Sequence, residues 1–360
     1  MQPRGMTRPA AQSLNLPYPA DAICAILRRC AINLTRTAKM ETLVTGSIAY
    51  DYLMRFPGSF QQHFIPDELH NMSLSFLVDD MTKHWGGVAA NIAFTLAKFG
   101  LRPKLMGTVG RDFGDYRRWL EGRGVDCSTV IQIDEVFTAS FFANTDDDNN
   151  QLAFFYGGAM NLARNYRITD IVSQQPDLVV ISPNDPVAMV SLCDECRQHG
   201  TRFVYDPGQQ VARLAGDELR RGVQGAFMVV VNIYEASVIY EKTGFTLDDL
   251  REGVEIVVIT ESERGSKIYH ADDIIEVEAF PPQEIADPTG AGDAYRAGFI
   301  RGLSKELPLK LCAQIGALSA TYALEVVGTQ NHEFTLADFV ERFRSLADDE
   351  GLLDCLLAAT

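Results

Sequence analysis

Short apolar runs alternating with helix-period segments constrain the fold of this chain more than any other feature. The runs are continuously apolar, as expected of parallel strands that are covered on both faces. Strand followed by helix, repeated along the chain, predicts βαβ units and an α/β body with a parallel sheet. The predicted strands are 43–48 (ending near Asp51), 104–109, 177–181, 202–205, 227–231 and 255–260. The predicted helices are 88–99, 113–121, 186–197, 234–242, 308–326 and 335–346.

Two segments interrupt this alternation and predict a small β lid. Residues 136–144 and 151–157 are aromatic-rich, and the polar turn between them is typical of a hairpin. Residues 55–84 have mixed polarity, and 74–78 is a candidate for a further strand. An ordinary surface hairpin is the alternative, although its many aromatic side chains argue against exposure on both faces. The predicted boundaries assign 40–55, 84–135 and 158–360 to the body, and 56–83 and 136–157 to the lid.

The charge of the chain argues against two classes of partner. Its 360 residues carry a net charge of −16, and no Lys/Arg block of the kind that a general nucleic-acid binder needs is present. The acidic total also disfavours an anionic membrane surface. No apolar run reaches the ~18 residues of a membrane-spanning helix. We therefore expect neither a nucleic acid nor a membrane as partner.

The cysteines predict a reducing compartment. Their number is seven, which is odd, and they are scattered along the chain, as is typical of reduced thiols in a cytoplasm. Cys193 and Cys196, with His199 nearby, could form half of a zinc site, but no second pair follows at a useful spacing. A structural role on one helix face is therefore favoured for both thiols.

Residues 1–39 precede the first predicted strand and contain neither a clean signal-peptide core nor a small-residue cleavage site. We interpret them as a largely disordered N-terminal extension. An amphipathic helix at about 19–30 is the alternative.

The stretch 287–293 (DPTGAGD) carries the strongest chemical signal. It leads into an apolar helix-period run, so Gly290, Ala291 and Gly292 are expected at a helix N-terminus, where bare backbone N–H groups form an anion cradle. Asp293 places a carboxylate in the first turn beside that cradle. A base next to an anion cradle suits transfer of a phosphoryl group to a hydroxyl. Taken alone, the stretch is more often a Gly-rich loop with a helix-capping aspartate.

A second motif far upstream favours the phosphoryl-transfer site over the Gly-rich loop. Residues 86–93 (GGVAANIA) and 107–114 (GTVGRDFG), together with 287–293, resemble the two signatures of the ribokinase (PfkB-type) family of carbohydrate and nucleoside kinases, in the right order. The resemblance runs from about Met40 to the C-terminus. It implies a ribokinase-like three-layer α/β/α body with a mostly parallel sheet. It also implies a β lid over the acceptor site, which often mediates homodimers.

The acceptor side of such a site would be formed by residues near the front of the chain. Asp51 follows the first predicted strand, and its carboxylate can accept hydrogen bonds from two neighbouring hydroxyls; a turn or cap aspartate is the alternative. Gly86 and Gly87 permit close approach to a ligand at a helix start, and Asn91 follows one turn later. Helix entry with tight packing is the alternative for these three. The resemblance implies acceptor binding by Asp51, Gly87 and Asn91.

The nucleotide side would be formed at later strand ends, where ligands of parallel sheets bind. Asn232 to Glu235 resembles the Asn-x-x-Glu motif of the family, which implies contact with ATP by Asn232 and an Mg²⁺ role for Glu235 through water. A helix cap is the alternative for this pair. Thr260 and Gly265 resemble the ATP-side turn. Asp287 and Thr289 lie where some family members bind a monovalent cation, so K⁺ is a further candidate ligand.

The resemblance implies that Asp293 is the base. We expect the helix N-terminus to lower the pKa of Asp293, which a loose transition state tolerates. No Walker motif is present, and no G-x-G-x-x-G follows the first predicted strand, which argues against a P-loop and a dinucleotide site.

Residues 56–67 and 75–79 resemble the bacterial and archaeal adenosine (nucleoside) kinase branch. Phe60, Phe64 and Phe76 would add flat apolar surface for a nucleobase; a small core within the lid, or a dimer contact, is the alternative. The predicted reaction is phosphorylation of a ribonucleoside, adenosine first, at its 5′-hydroxyl by ATP·Mg²⁺. A sugar kinase of the ribokinase or fructokinase kind is the alternative.

Overall fold

The computed structural model describes residues 40–64 and 73–358. Within those ranges the strands form one sheet of eight, one of four and one of two. The strands are β1 (Thr42–Thr45), β2 (Ala49–Arg55), β3 (Asp80–Gly86), β4 (Lys104–Met106), β5 (Thr108–Gly110), β6 (Ile131–Ile133), β7 (Ala139–Thr145), β8 (Gln151–Tyr156), β9 (Leu178–Ile181), β10 (Phe203–Tyr205), β11 (Met228–Asn232), β12 (Ile256–Thr260), β13 (Ser266–His270) and β14 (Asp273–Val277). The predicted extension at 1–39 lies outside the described residues.

Helices follow most of these strands, close to where the sequence predicts them. The α-helices are α1 (Val88–Lys98), α2 (Gly114–Glu121), α3 (Ile168–Ile171), α4 (Pro186–His199), α5 (Gly216–Val223), α6 (Ile233–Thr243), α7 (Leu247–Gly253), α8 (Ala291–Leu303), α9 (Leu309–Leu324), α10 (Leu336–Leu346) and α11 (Asp354–Leu357).

The eight-stranded sheet forms the centre of the body, in the order β14-β13-β12-β11-β10-β9-β1-β4. Neighbouring strands from β12 to β4 are parallel, and β13 and β14 add an antiparallel edge. Because side chains alternate between the faces of a strand, each strand contributes to two cores. On β9, Val180 packs with α1, α8 and α9, whereas Val179 and Ile181 pack with α4, α5 and α6. The predicted three-layer body is confirmed.

The four-stranded sheet is the predicted small second sheet, which we call the lid, in the order β3-β2-β7-β8. β2 is antiparallel to β3 and parallel to β7, and β7 and β8 form the predicted hairpin. The tip of this hairpin is organised by the buried carboxylate of Asp146. It accepts hydrogen bonds from the backbone N–H groups of Phe60, Asp148 and Asn150. The tip is thereby tied to the segment that follows β2.

The first predicted strand is wrong at its end. β1 stops at Thr45, and from Ala49 the chain belongs to the lid sheet, inside a segment assigned to the body. The predicted boundary at residue 55 therefore falls at the end of a lid strand. Hydrophobicity could not reveal this change of sheet, because Ile48 and Tyr50 are only 1% and 0% exposed, like the residues of β1.

Two other strand predictions also need correction. Residues 74–78 are not a strand; the strand is β3, which crosses the predicted boundary at 84. The predicted strand 104–109 is divided, because β4 joins the eight-stranded sheet while β5 pairs with β6 in the two-stranded sheet. In the second case the apolar run continues while the hydrogen-bonding partner changes.

The aromatic residues of the insertion after β2 pack against each other. Phe56 and Phe60 stack with ring centroids 5.3 Å apart, and Phe76 lies 5.0 Å from both rings. Phe60 is only 2% exposed. These side chains therefore form a small core within the lid, which was the alternative to an apolar wall for a nucleobase.

No helix within the described part of the chain combines the length and the apolar character required to cross a membrane. Cys193 and Cys196 are buried in a hydrophobic cluster, and no three His, Cys, Asp or Glu side chains of these ranges are grouped so as to hold a metal ion. The structural interpretation of the two cysteines agrees with this burial.

Helices α8 and α9 approach each other closely at glycine. A Cβ atom added to Gly298 would lie 2.4 Å from Ser319 Oγ, 2.7 Å from the Ile315 carbonyl oxygen and 2.9 Å from Gly316 Cα. Backbone atoms cannot yield at such distances, so a side chain here forces the helices apart. This contact fixes α8, whose N-terminus carries the predicted anion cradle.

Replacing Gly298 with Ala should lower the free energy of unfolding by about 1–3 kcal/mol, because the added methyl group overpacks the α8–α9 contact. Urea unfolding followed by circular dichroism measures this. Gly253→Ala, at the end of α7, is the matched control, since a Cβ atom there meets nothing within 4 Å. It should be neutral or stabilising by up to about 1 kcal/mol. Equal effects of the two substitutions would contradict the close contact.

Candidate active site

The stretch 287–293 forms the start of α8, as predicted. Gly290 is the N-cap residue with φ +83°, and a Cβ atom there would lie 2.9 Å from Thr329 Cβ. The first N–H groups of a helix have no acceptor within the helix, and Gly292 is exposed. The backbone of this turn is therefore accessible at the positive end of the helix dipole, where an anion is favoured.

Asp293 lies beneath this turn and is only 9% exposed. Its Oδ2 atom accepts a hydrogen bond of 2.8 Å from Asn91 Nδ2 on α1. Its Oδ1 atom lies 3.9 Å from Arg296 Nη1. The hydrogen bond joins the two sequence motifs directly, although they are separated by 202 residues.

The prediction that the pKa of Asp293 is lowered is wrong. Burial raises the pKa of this carboxyl group to about 6, against the opposing effects of Arg296 and the Asn91 hydrogen bond; Glu235 raises it further. A helix N-terminus favours the ionised form, but removal from water favours the neutral form and dominates here. The carboxylate is therefore a stronger base than the sequence suggested.

Both the oxygen and the nitrogen of the Asn91 side-chain amide make hydrogen bonds, and the residue is 4% exposed. Its Oδ1 atom lies 2.8 Å from Thr329 Oγ1 and 3.0 Å from Gln330 Nε2. Since its nitrogen already donates to Asp293, only one N–H of the amide remains for a ligand. The side chain of Asn91 can therefore bind a ligand hydroxyl only as a hydrogen-bond donor.

Asp51 lies on β2 of the lid and does not follow a strand of the main sheet, which corrects the prediction. Burial raises the pKa of Asp51 to about 6, and the charges of Asp287 and Asp293 contribute to the rise. Contacts also join the lid to the start of α8: Thr329, against which Gly290 packs, donates a hydrogen bond to the Trp85 carbonyl oxygen on β3. Asp51 and Asp293 thus lie on the same side of the molecule.

Both glycines at the start of α1 are required by the protein's own packing. A Cβ atom on Gly86 would lie 2.3 Å from Asp51 Oδ2. Gly87 has φ +92°, and a Cβ atom there would lie 2.6 Å from the Ser47 carbonyl oxygen and the Ala49 nitrogen. Ser47 Oγ also accepts a hydrogen bond from the Val88 N–H. Tight packing, the alternative considered for these residues, therefore accounts for both.

One face of the lid carries a row of side chains around Asp51, which we call the lid row. Asp51 is paired in register with His84 on β3 and Phe141 on β7, and Phe141 is paired with Phe155 on β8. In-register partners project to the same face. The row on one side holds the small residues Gly86, Ala49 and Ala139, and the row on the other side holds Thr82, Leu53, Ala143 and Ala153. Phe141 and Phe155 are therefore flanked by small residues along their own strands, and Phe141 is next to Asp51.

Asn232 and Glu235 cap α6 reciprocally, as the alternative interpretation proposed. Asn232 Oδ1 accepts from the Glu235 N–H, and Glu235 Oε2 accepts from the Asn232 N–H, both at 2.8 Å. Glu235 is 7% exposed. Its charge raises the pKa of Asp293, so it lies near the anion cradle as well as at the cap.

Thr260 and Gly265 flank the same edge of the sheet. Thr260 ends β12 and is in register with Asn232 on β11. Gly265 has φ +92°, and a Cβ atom there would lie 2.0 Å from the Val277 carbonyl oxygen. The proximity of β14 therefore excludes any side chain at residue 265.

Asp287 closes the loop that precedes α8. Its Oδ1 atom accepts from the Thr289 N–H at 2.8 Å, and its Oδ2 atom accepts from the Gly328 N–H at 3.0 Å. Partial burial opposes ionisation, but these hydrogen bonds lower the pKa of Asp287. The carboxylate is ionised at neutral pH and holds the loop against residue 328.

Sequence reasoning missed four residues around Asp293. Arg296 and Asp206 form a buried ion pair, and Thr329 and Gln330 contact Asn91. Asp206 directly follows β10, so the rule that selected strand ends could have found it. Arg296 lies three residues after Asp293 on the same helix, which was a second signal. Thr329 and Gln330 lie in a stretch with no recognisable pattern.

The family model described as pfkB family carbohydrate kinase matches residues 48–335. The chain is 32% identical over 306 residues to a nucleoside kinase from Methanothermobacter thermautotrophicus, covering 84% of this chain and 95% of the relative. It is 30% identical over 308 residues to a nucleoside kinase from Methanocaldococcus jannaschii, covering 84% and 97%.

A solved structure of another nucleoside kinase is similar to this chain. The nucleoside kinase of Burkholderia thailandensis in complex with inosine superposes with a TM-score of 0.76 at 31% identity, covering 84% of this chain and 98% of that chain. The motif order, the three-layer body with its separate small sheet and these similarities agree. The chain belongs to the PfkB family of carbohydrate kinases and is a phosphotransferase with an alcohol group as acceptor.

Proposed function

We propose that the protein phosphorylates the 5′-hydroxyl of a ribonucleoside, adenosine first, with ATP as donor. The observation that carries the proposal is the lid row, in which Phe141 is in register with Asp51 and Phe155 is in register with Phe141. A nucleobase needs flat apolar surfaces for stacking, and a sugar alone needs mainly polar contacts. The nucleoside kinases among the relatives support the same choice.

The acceptor is proposed to lie between the lid row and the start of α1. Asp51 accepts hydrogen bonds from two ribose hydroxyls, which a carboxylate can do with separate oxygen atoms. Asn91 donates its remaining N–H group, and the backbone of Gly86 and Gly87 lines the same side. Phe141, adjacent to Asp51, supports the nucleobase.

The transfer itself is proposed to be direct and in line. Asp293 accepts the proton of the 5′-hydroxyl while the hydroxyl oxygen bonds to the γ-phosphorus and the bond to the bridging oxygen of ADP breaks. The N–H groups of the turn formed by Gly290, Ala291 and Gly292 stabilise the developing charge. A carboxyl group with a pKa near 6 is ionised at neutral pH and close to the best strength for a general base.

The nucleotide is proposed to bind along the strand ends that carry Asn232, Thr260 and Gly265. Mg²⁺ bound to the phosphates supplies charge neutralisation. Glu235 fits an outer role, because its Oε2 atom caps α6 and a carboxylate retains further acceptor positions for metal-bound water. Asp287 and Thr289 are proposed as ligands of a monovalent cation, K⁺, next to the loop that leads into α8.

The face of the lid opposite the lid row is proposed to form the contact surface of a homodimer. β8 is the edge strand of the sheet, and Phe154 on it is 70% exposed and Tyr156 44% exposed. Met81 on β3 is 59% exposed and lies on the same face by its register. An exposed edge strand with apolar side chains is a surface that proteins normally cover.

A cytoplasmic location is also part of the proposal. The cysteines that the described ranges contain are all free thiols: Cys127, Cys193, Cys196, Cys312 and Cys355. Free thiols agree with a reducing compartment.

Asp293→Asn should retain the fold and reduce kcat by about 10²–10⁴-fold, because the amide cannot accept the proton. A coupled assay of ADP release measures this, with the melting temperature as the check on folding. Asp115→Asn, at an exposed position in the first turn of α2, is the control and should leave kcat unchanged. A near-normal rate for Asp293→Asn would remove this residue from the mechanism.

A substrate panel of adenosine, inosine, cytidine, ribose and fructose should show a preference of kcat/KM for nucleosides, with adenosine highest. Phe141→Ala should raise the KM for adenosine by about tenfold, since loss of stacking costs about 1.4 kcal/mol, and leave the KM for ribose unchanged. Phe142→Ala is the matched control, because Phe142 stacks on Tyr52 on the opposite face of the sheet. A preference for ribose or fructose would instead favour the sugar kinase.

Phe154→Asp should convert a dimer into a monomer, because a charge in an apolar interface is left unpaired. Light scattering after size-exclusion chromatography measures the mass. Val187→Asp, at a 43% exposed position on α4, is the control and should leave the mass of the dimer unchanged. A monomeric parent protein would contradict the proposed dimer.

A further inference from the structure

A buried ion pair lies next to Asp293, the proposed base. Asp206, directly after β10, is 0% exposed, and Arg296 on α8 is 9% exposed. Arg296 Nη2 donates to Asp206 Oδ1 at 2.7 Å, and Arg296 Nε lies 2.6 Å from Asp206 Oδ2. The Nη2 hydrogen bond holds the guanidinium group against Asp206, and the Nε contact is an ion-pair contact without hydrogen-bond geometry.

The third nitrogen of the guanidinium group reaches the site. Arg296 Nη1 lies 3.9 Å from Asp293 Oδ1. A Cβ atom on Gly292 would lie only 2.7 Å from the same nitrogen, so the group lies directly against the first turn of α8. Arg296 is therefore a fixed cation between Asp206 and Asp293.

The groups that face Asp293 are otherwise neutral or negative. Glu235 on α6 raises the Asp293 pKa, and Asp51 on the lid and Asp206 after β10 also interact with the charge of Asp293. From α1 it meets the neutral amide of Asn91. Against these carboxylates, Arg296 is the cation at ion-pair distance from Asp293 within the described ranges.

We propose that Arg296, oriented by Asp206, is a positioning residue that keeps Asp293 ionised and directed toward the acceptor hydroxyl. The proposal rests on the proposed role of Asp293 as base. A positive charge held at a few ångströms in a buried site favours the ionised carboxylate. Without it, burial and the neighbouring carboxylates would protonate the base at a higher pH.

The experiment compares the pH dependence of kcat/KM for adenosine in Arg296→Gln, Arg296→Lys and the parent protein. The base must be ionised, so the rate falls as the pH falls through its pKa. Loss of the cation raises that pKa, so the acid limb of the Arg296→Gln profile should move up by about one pH unit. With the pKa of the base moving from about 6 to about 7, the rate at pH 6 should fall about fivefold relative to the parent, and at pH 9 it should recover to within about threefold.

Three further variants control for structural damage. Arg296→Gln leaves Asp206 buried without its partner. The double variant Asp206→Asn with Arg296→Gln removes both charges and should move the acid limb in the same direction by a smaller amount, because the negative charge of Asp206 near Asp293 is also lost. Arg296→Lys keeps the charge and should keep the acid limb near that of the parent. Arg301→Gln, at another buried position on α8 (2% exposed), should leave the limb in place even if the melting temperature falls.

The outcomes separate this inference from the proposed function. An unmoved acid limb, a rate loss equal at all pH values, or a rise in the KM for ATP alone would overturn the positioning role of Arg296. If Asp293→Asn retains turnover, the assignment of the base fails as well. If Asp293→Asn is inactive while the limb of Arg296→Gln is unmoved, only the inference about Arg296 fails.

Discussion

The hydrogen bond from Asn91 to Asp293 is the contact on which the candidate site depends. It joins the start of α1 to the start of α8 across 202 residues of sequence, and it survives only if both helices keep their positions. α1 is held by Ser47, which accepts from its first N–H groups. α8 is held against α9 at Gly298, where the helices leave no space for a side chain. Within the motifs themselves, Gly87 packs against Ser47 and Gly290 against Thr329, so the position of the site follows from the packing.

Burial gives this site its chemistry and also creates its main electrostatic difficulty. Removal from water raises the pKa of both Asp51 and Asp293 to about 6, which strengthens the base but brings it close to protonation at neutral pH. Each further carboxylate near the anion cradle favours protonation of Asp293. The Arg296–Asp206 pair offsets part of it, because an arginine remains charged when buried. Asp206 itself has its pKa raised to about 7 by burial, although Arg296 opposes this.

The sequence predicts those features that depend on local pattern. The parallel strands, the helices between them and the Gly-rich start of α8 all follow from residue type and spacing, and they agree with the structure. Apart from the local β7–β8 hairpin, the pairing of strands could not be predicted. The apolar run through Ile48 and Tyr50 continues while the chain passes from one sheet to another, since both environments are buried. The prediction that the pKa of Asp293 is lowered was wrong for a similar reason. The helix terminus can be recognised in the sequence, but the depth of burial cannot.

The change of sheet after β1 has a mechanical consequence for the acceptor side. Because Asp51 lies on β2, the carboxylate proposed to grip the ribose and the ring of Phe141 belong to one sheet and are in register. Any displacement of that sheet moves both groups together relative to Asp293. Sugar and base recognition are thus coupled through backbone hydrogen bonds, and the distance from the acceptor hydroxyl to the base is set by how the lid sits on the body. An aspartate at the end of β1 itself, as the sequence suggested, would have fixed the sugar to the body and left the nucleobase to the lid.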